Sequence, residues 1–454
     1  MTSNPAVRAE LGALWRLAWP LVVTQVGFMM IGVVDALLLG RLSVEALDAV
    51  ALANGWGWST LALANGVVNG MDPIVAQAHG DRDREGAAVS LQRGLVVALL
   101  ASVPVVAGWC LTGPVLRALG QDPAIADMAQ SYNSIRTPSV PCILAFIALR
   151  SWLSGRNLVA PAMWIALAMN AVNALFGWAL IFGRLGFPRL ELAGAALVAC
   201  LVAVGQLALL LAFIRLANLH EGAWRRWDRR SFELRGLLQI VRIGGPFGLQ
   251  MSLEGSAWTF AALMSGWLGT APLAAHTIVL NMIALWFQVP VGIGIAGSIR
   301  VGNLLGAADL DGARRAGAVA LASGAGVMLI SAAIFTAFRW ELPLLFTREA
   351  EVVALAALIL PIAGAFQVFD GVQVVAGGIL RGAGRTRPPA AANLLGYYAL
   401  ALPLAAWIGA ADRAGIAGIW WSLLVGLLFV SSVLLFYVRR TARLPLGELR
   451  IAAH

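Results

Sequence analysis

The chain has 454 residues and a formal net charge of +9; 60% of the residues are hydrophobic, 12% are charged, and the mean hydropathy is +0.82. A water-soluble domain of this length carries roughly twice that charged fraction, so the composition excludes that class of protein. Apolar runs recur from end to end without alternation, which excludes a β-barrel and predicts an all-α polytopic membrane protein.

Twelve transmembrane spans are predicted. Several are longer than about 25 residues, so they must tilt, bend or project beyond the bilayer. The first span lacks a short apolar core and a small-residue cleavage site, so we expect it to be retained rather than removed as a signal. The spans are centred near residues 26, 60, 100, 141, 171, 204, 254, 287, 326, 366, 399 and 426.

The basic residues, which are all arginine, predict the orientation of these spans. With the N-terminus placed in the cytoplasm, 24 of the 32 arginines fall in inner segments and 8 in outer segments. This bias predicts that both termini are cytoplasmic and that the number of spans is even. Because the positive charge follows the membrane pattern, we expect no nucleic-acid partner.

Polar groups appear inside several spans, in chain order. The first span carries Asp35, and the fifth carries Asn170 and Asn173. The longest polar stretch, "HEGAWRRWDRRSFELRG" at residues 220–236, then predicts a cytoplasmic connector between two lobes.

The second half of the chain is richer in such groups. In the seventh span Gln250, Glu254 and Trp258 recur every four residues and share one helix face. The tenth span carries Asp370 as the sole ionisable group of residues 354–380. Other candidate lining residues are Asn281 and Gln288 in the eighth span and Phe366, Gln367 and Gln373 in the tenth.

The three acids Asp35, Glu254 and Asp370 suggest a cation site. Each costs about 2.5–3.5 kcal/mol if it is charged at mid-bilayer. No arginine is predicted deep in a span, so we expect each acid either to take up a proton or to bind a mobile cation. Carboxylate and amide oxygens suit Na⁺, here at Glu254 and Asp370, and aromatic rings suit an organic cation.

Structural roles remain as alternatives for each of these residues. A neutral acid can hydrogen-bond to a neighbouring helix, and the amides can join helices in the same way. For Trp258 and Phe366, packing alone is a sufficient role.

The two halves of the chain repeat each other. "LSVEALDAVAL" from Leu42 and "LGTAPLAAHTI" from Leu268 are 226 residues apart, and so are Pro20 and Pro246. The repeat predicts two six-helix lobes, residues 1–219 and 237–454, related by a pseudo-two-fold axis along the membrane normal. Such repeats are typical of secondary transporters.

Several stretches resemble the multidrug and toxic compound extrusion (MATE) family. They are "VVDALLLGRLSVEALDAVAL", "VAQAHGDRD", "IALAMNAVNALFGWALIFG", "VPVGIGIAGSIRVGNLLGAAD" and "GGILRGAGRTRP". The three acids together resemble the NorM branch. The resemblance implies a bacterial inner-membrane exporter of organic cations that is driven by inward Na⁺ or H⁺ through alternating access.

The resemblance also implies roles for individual residues. Asp35 and Asn173 match the proton or cation site of the family's N-terminal lobe, although the further acid sometimes found there is Gly177 in this chain. Pro20 matches a proline that can bend the first helix. The alternative is a proline near the helix start, where it costs nothing.

Two other functions are considered. A lipid-linked oligosaccharide flippase of the same superfamily would line its cavity with basic groups, which this sequence lacks. An intramembrane enzyme would need paired acids in protease motifs or a partnered His, and none is present. We therefore expect a monomeric transporter in the lipid bilayer, with no enzymatic activity and with no cofactor beyond the coupling ion.

Overall fold

The computed structural model describes residues 5–219, 224, 226–408 and 414–451, and the regular elements of this part of the chain are helical. The first nine helices are α1 Pro5–Leu39, α2 Val44–Val68, α3 Asp72–Gly80, α4 Arg84–Cys110, α5 Thr112–Ala118, α6 Pro123–Arg136, α7 Ser139–Gly155, α8 Ala160–Phe182 and α9 Glu191–Leu216. The others are α10 Leu234–Trp267, α11 Thr270–Gly306, α12 Leu310–Ala337, α13 Ala350–Gly382, α14 Arg387–Asn393, a π-helical segment Leu394–Ala401, α15 Leu402–Ile408 and α16 Gly415–Thr441.

The twelve predicted spans all fall on these helices. Among the described residues, nine helical stretches are long and apolar enough to cross a bilayer, and α6 with α7 forms a tenth span bent by 55°. The other two spans are α2 and α10, which have 25 and 34 residues and are richer in glycine and polar groups. The chain is therefore an all-α polytopic membrane protein.

The described chain forms two compact units. The N-unit comprises residues 23–248, and the C-unit combines residues 5–22 with residues 249–451. These limits differ from the predicted lobes, because α1 and α10 each begin in one unit and end in the other. Residues 220–223 and 225 of the predicted connector lie outside the described residues.

Close backbone contacts explain this exchange. A Cβ atom on Gly66 of α2 would lie 2.1 Å from the Cα of Gly248, so the first half of α10 packs directly against α2 in the N-unit. A Cβ atom on Gly292 of α11 would lie 2.8 Å from the backbone nitrogen of Val22, so the first half of α1 packs directly against α11 in the C-unit. The two contacts are related by the 226-residue offset of the repeat.

An ion pair also holds the start of α1 in the C-unit. Arg300 on α11 donates from Nε and Nη2 to the two carboxylate oxygens of Glu10, at 2.8 and 2.7 Å. Both side chains are largely buried, which makes this two-pronged contact stronger than a surface pair. Pro20 lies well inside α1, because the helix begins at Pro5. The alternative of a proline near the helix start is therefore wrong.

The turns before α4 and α12 repeat the same geometry. Arg82 and Ala308 both have φ of 59°, a left-handed conformation that non-glycine residues rarely adopt. Asp83 and Asp309 follow them and cap the next helices, each accepting a hydrogen bond from the amide three residues on, at 2.8 and 2.7 Å. The sequence repeat therefore extends to the backbone of corresponding turns.

Candidate functional site

Two of the predicted acids come together in the C-unit. Glu254 on α10 and Asp370 on α13 lie within electrostatic range of each other. Asp370 is only 2% exposed, and its Oδ1 atom has no hydrogen-bond partner among the described residues. In the same part of the chain neither acid forms an ion pair. Two neighbouring carboxylates without a counter-cation are unfavourable when both are charged.

Amide groups surround this pair of acids. Gln373 donates from Nε2 to Glu254 Oε2 at a long 3.5 Å. The side-chain oxygen Oε1 of Gln373 is buried without a partner in the described chain. Gln367 accepts a hydrogen bond from Ser331 at 2.5 Å. Gln250 lies against α13 near Gly377, one turn from Gln373. Unpartnered buried oxygens of this kind suit Na⁺, and Asp370 can equally hold a proton.

The predicted residues of the eighth span are less closely involved. Asn281 on α11 is exposed, and Gln288 donates to the carbonyl of Ala284 in its own helix at 2.9 Å. The structure gives neither side chain a contact with the two acids.

Tyr397 is a member of this cluster that sequence reasoning missed. Its side chain is buried beside Gln373 and both acids, without a hydrogen bond of good geometry to any described residue. It lies on the π-helical segment, a rare backbone form that is frequently found at functional sites. The sequence holds one signal, because Pro403 lacks an amide donor and so disturbs the helical pattern nearby.

An aromatic cluster lies one helical turn from the acids. The ring of Trp258 lies 5.3 Å from that of Phe366 and 6.1 Å from that of Trp420, measured between centroids. Phe366 and Trp420 are fully buried, so this cluster first of all packs α10, α13 and α16 together. Trp258 is partly exposed and is the ring that can meet a substrate.

His276 packs at the edge of the aromatic cluster, with its ring 5.5 Å from that of Trp420. Both of its ring nitrogens are buried without a hydrogen-bond partner in the described chain.

In the N-unit, Asp35 joins α1 to α8. Its Oδ1 atom accepts a hydrogen bond from Asn173 Nδ2 at 2.9 Å. Asn170 donates to the carbonyl of Gly27, also on α1, at 2.8 Å. A Cβ atom on Gly177 would lie 2.7 Å from Leu38, so an acid at this position would need its neighbours to move.

Arg136 is the second residue that sequence reasoning missed. It lies within electrostatic range of Asp35, but the two side chains form no ion pair within the described part of the chain. Its guanidinium lies 5.1 Å from the ring of Trp109 and 4.9 Å from that of Tyr132, and it donates to Asn54 Oδ1 at 2.7 Å. Arg136 is the last residue of α6, at the 55° bend between α6 and α7.

Comparison with known proteins identifies the family. The MatE family profile matches residues 20–179 and 246–407. The chain is 34% identical over 444 residues to the probable multidrug resistance protein NorM of Bradyrhizobium diazoefficiens, covering 95% of this chain and 94% of that protein.

Solved structures share the fold. The crystal structure of the eukaryotic MATE transporter AtDTX14 gives a TM-score of 0.88 at 22% identity, over 96% of this chain and 98% of that one. The bent form of the Vibrio cholerae MATE transporter VcmN gives 0.84 at 19% identity, over 97% and 98%. The chain therefore belongs to the MATE family of multidrug and toxic compound extrusion transporters.

Proposed function

We propose that this transporter exports organic cations in exchange for Na⁺ or H⁺, and that the exchange takes place at Glu254 and Asp370. The observation that carries the proposal is the pair of neighbouring carboxylates in the C-unit, which has no counter-cation among the described residues. A fixed arginine at this place would neutralise the acids permanently. Without one, the acids take their positive charge from whichever mobile cation is bound.

The exchange cycle follows from competition for this charge. Facing outward, the site takes up Na⁺ or H⁺, and a bound organic cation loses its counter-charge and leaves. Facing inward, the coupling ion dissociates and the exposed charge attracts the next substrate. Such alternating access requires that the two ligands bind in turn and not together.

The membrane potential bears on stoichiometry. It supplies about 2.3 kcal/mol per net charge per 100 mV. A one-for-one exchange of monovalent cations gains nothing from the potential, whereas two coupling ions per substrate gain about that amount. Two coupling ions per substrate are expected when both acids are charged in the substrate-bound state, because each acid then takes up one positive charge.

The remaining properties are proposed from the family and the arginine distribution. We propose that the protein lies in a bacterial inner membrane with both termini in the cytoplasm, and that it works as a monomer. It carries out no enzymatic reaction and needs no cofactor besides the coupling ion.

Direct competition tests the shared site. Purified protein should bind a fluorescent organic cation less tightly as Na⁺ rises or as pH falls, since either neutralises the acids. Asp370→Asn should blunt this dependence at least about ten-fold, which corresponds to about 1.4 kcal/mol. Glu351→Gln is the matched control, because Glu351 is an exposed acid at the start of the same helix. A substrate affinity that ignores both ions would contradict the shared site.

A further inference from the structure

An apolar groove lies on the N-unit, away from both acid clusters. It encloses about 320 Å³ between the start of α10, the middle of α4 and the end of α2. Leu234 and Leu100 on its walls are 69% and 60% exposed, which is unfavourable in water and favourable against lipid chains. The groove is lined by Val67, Val97, Leu100, Ala101, Leu234, Leu237, Leu238 and Val241.

The groove has a fixed wall. Arg93 of α4 pairs with Glu233 at 3.2 Å and donates to the carbonyl of Arg230 at 3.1 Å. The Ser231 hydroxyl donates to the side-chain oxygen Oε1 of Gln92 at 2.6 Å. These contacts hold the turn before α10 against α4, so the groove between the two helices is built into the fold.

Arginines border the groove. The α10 residues of its lining recur at i, i+3, i+4 and i+7, and Arg235 and Arg242 lie along the edge of that stripe. Both are exposed, and neither forms an ion pair with a described residue. The acids of the same stretch are engaged, because Asp228 caps the backbone of Arg230 and Glu233 pairs with Arg93.

Aromatic residues mark the depth of the groove in the bilayer. Trp227 and Phe232 precede α10, stack at 5.7 Å, and are 46% and 59% exposed. Exposed aromatic rings beside arginines are typical of the lipid headgroup region. From Leu234 to Val241 the helix then advances about 10 Å towards the hydrocarbon core.

We propose that this groove binds an anionic phospholipid. One acyl chain occupies the apolar groove, and the phosphate contacts Arg235. Arg242 lies about two helical turns deeper, and its long side chain extends towards the negatively charged headgroup. Charge complementarity selects the ligand, because two arginines without acid partners attract a net negative headgroup more strongly than a zwitterionic one. The site is separate from the proposed cation exchange and does not depend on it.

Native mass spectrometry of the full-length protein in detergent tests the site. Phosphatidylglycerol and phosphatidylcholine with the same acyl chains are titrated separately. Each arginine should contribute about five-fold in affinity, or about 1 kcal/mol, so Arg235→Gln with Arg242→Gln should weaken phosphatidylglycerol binding about 25-fold. Phosphatidylcholine binding should change little in this double variant.

Matched variants keep the result interpretable. Ala101→Phe fills the groove and should weaken both lipids, whereas Ala333→Phe, at an exposed alanine of α12, should weaken neither. Arg315→Gln removes an exposed arginine of α12 that has no ion pair with a described residue, and it should have no effect. Equal binding of the two lipids by the parent protein would overturn the proposal, as would equal losses in the arginine double variant and in Arg315→Gln.

Discussion

At the scale of single residues, the acids of the two units differ in their surroundings. Asp35 has an amide donor at 2.9 Å and an arginine within electrostatic range, and both partly offset the cost of burying its charge. Asp370 is buried next to another acid, and one of its oxygens has no partner among the described residues. Asp35 therefore has polar groups that can offset its charge, whereas Asp370 stands beside a second acid.

Neutralising substitutions should reveal this difference. Asp370→Asn, Glu254→Gln and Asp35→Asn should each reduce coupled ethidium efflux from proteoliposomes at least about ten-fold. The first two should keep or raise the melting temperature, because they remove like-charge repulsion. Asp35→Asn should lower it, since Arg136 then lacks a nearby acid. Robust efflux by all three variants at unchanged yield would contradict the assignment.

A double-mutant cycle should test whether Arg136 and Asp35 interact. Their coupling energy, from the unfolding of Arg136→Gln, Asp35→Asn and the double variant, should fall in the range of about 0.5–3 kcal/mol. Arg117 serves as the control, because it is an exposed arginine that pairs with Asp127. A cycle of Arg136 with Asp35 that gives no more coupling than Arg117 with Asp35 would show that the two charges are independent.

Residue pattern alone could have found part of this site. The acids and most of the amides stand out because polar groups in apolar spans are rare and expensive. Tyr397 carries no such signal, because a tyrosine among leucines and alanines fits many roles. The nearness of Arg136 to Asp35 depends on how separate helices pack, which the residue pattern does not give.

At the scale of helices, close glycine contacts determine which unit each segment joins. The periodicity and the repeat predicted the helices themselves, because apolar length decides what crosses a membrane. They could not predict that α1 and α10 each divide between the two units. A repeat shows which segments correspond to each other, and not which segments pack together. Pro403 indicates only that the helical pattern is disturbed near the π-helical segment, and not its backbone register.

A pair of glycine substitutions on α2 should test this packing. Gly66→Ala forces a methyl group into the backbone of α10 and should cost about 1–3 kcal/mol of stability. Gly55→Ala, where nothing lies within 4 Å, should stabilise the helix by up to about 1 kcal/mol. Thermal unfolding in detergent measures both. Equal melting temperatures for the two variants would contradict the close contact.

At the scale of the whole molecule, orientation rests on the arginine bias, and labelling should test it. In a background with the cysteines replaced by serine, Trp227→Cys should resist a membrane-impermeant maleimide added to intact cells. Cys110 restored alone should react, because it is exposed at the opposite end of α4 from Arg84. Labelling of residue 227 in intact cells would reverse the predicted orientation.

The exchanged starts of α1 and α10 impose an order on biosynthesis. The N-unit can be completed once residue 248 has been made, because Gly66 is already present when its partner emerges. Residues 5–22 are made first, yet Val22 must wait for Gly292, which is 270 residues later in the chain. At synthesis rates of about 5–20 residues per second, this delay is roughly 14 to 54 seconds. The N-terminal part of the first helix therefore remains without its packing partner for most of translation, and during that time the bilayer or an insertion factor must hold it.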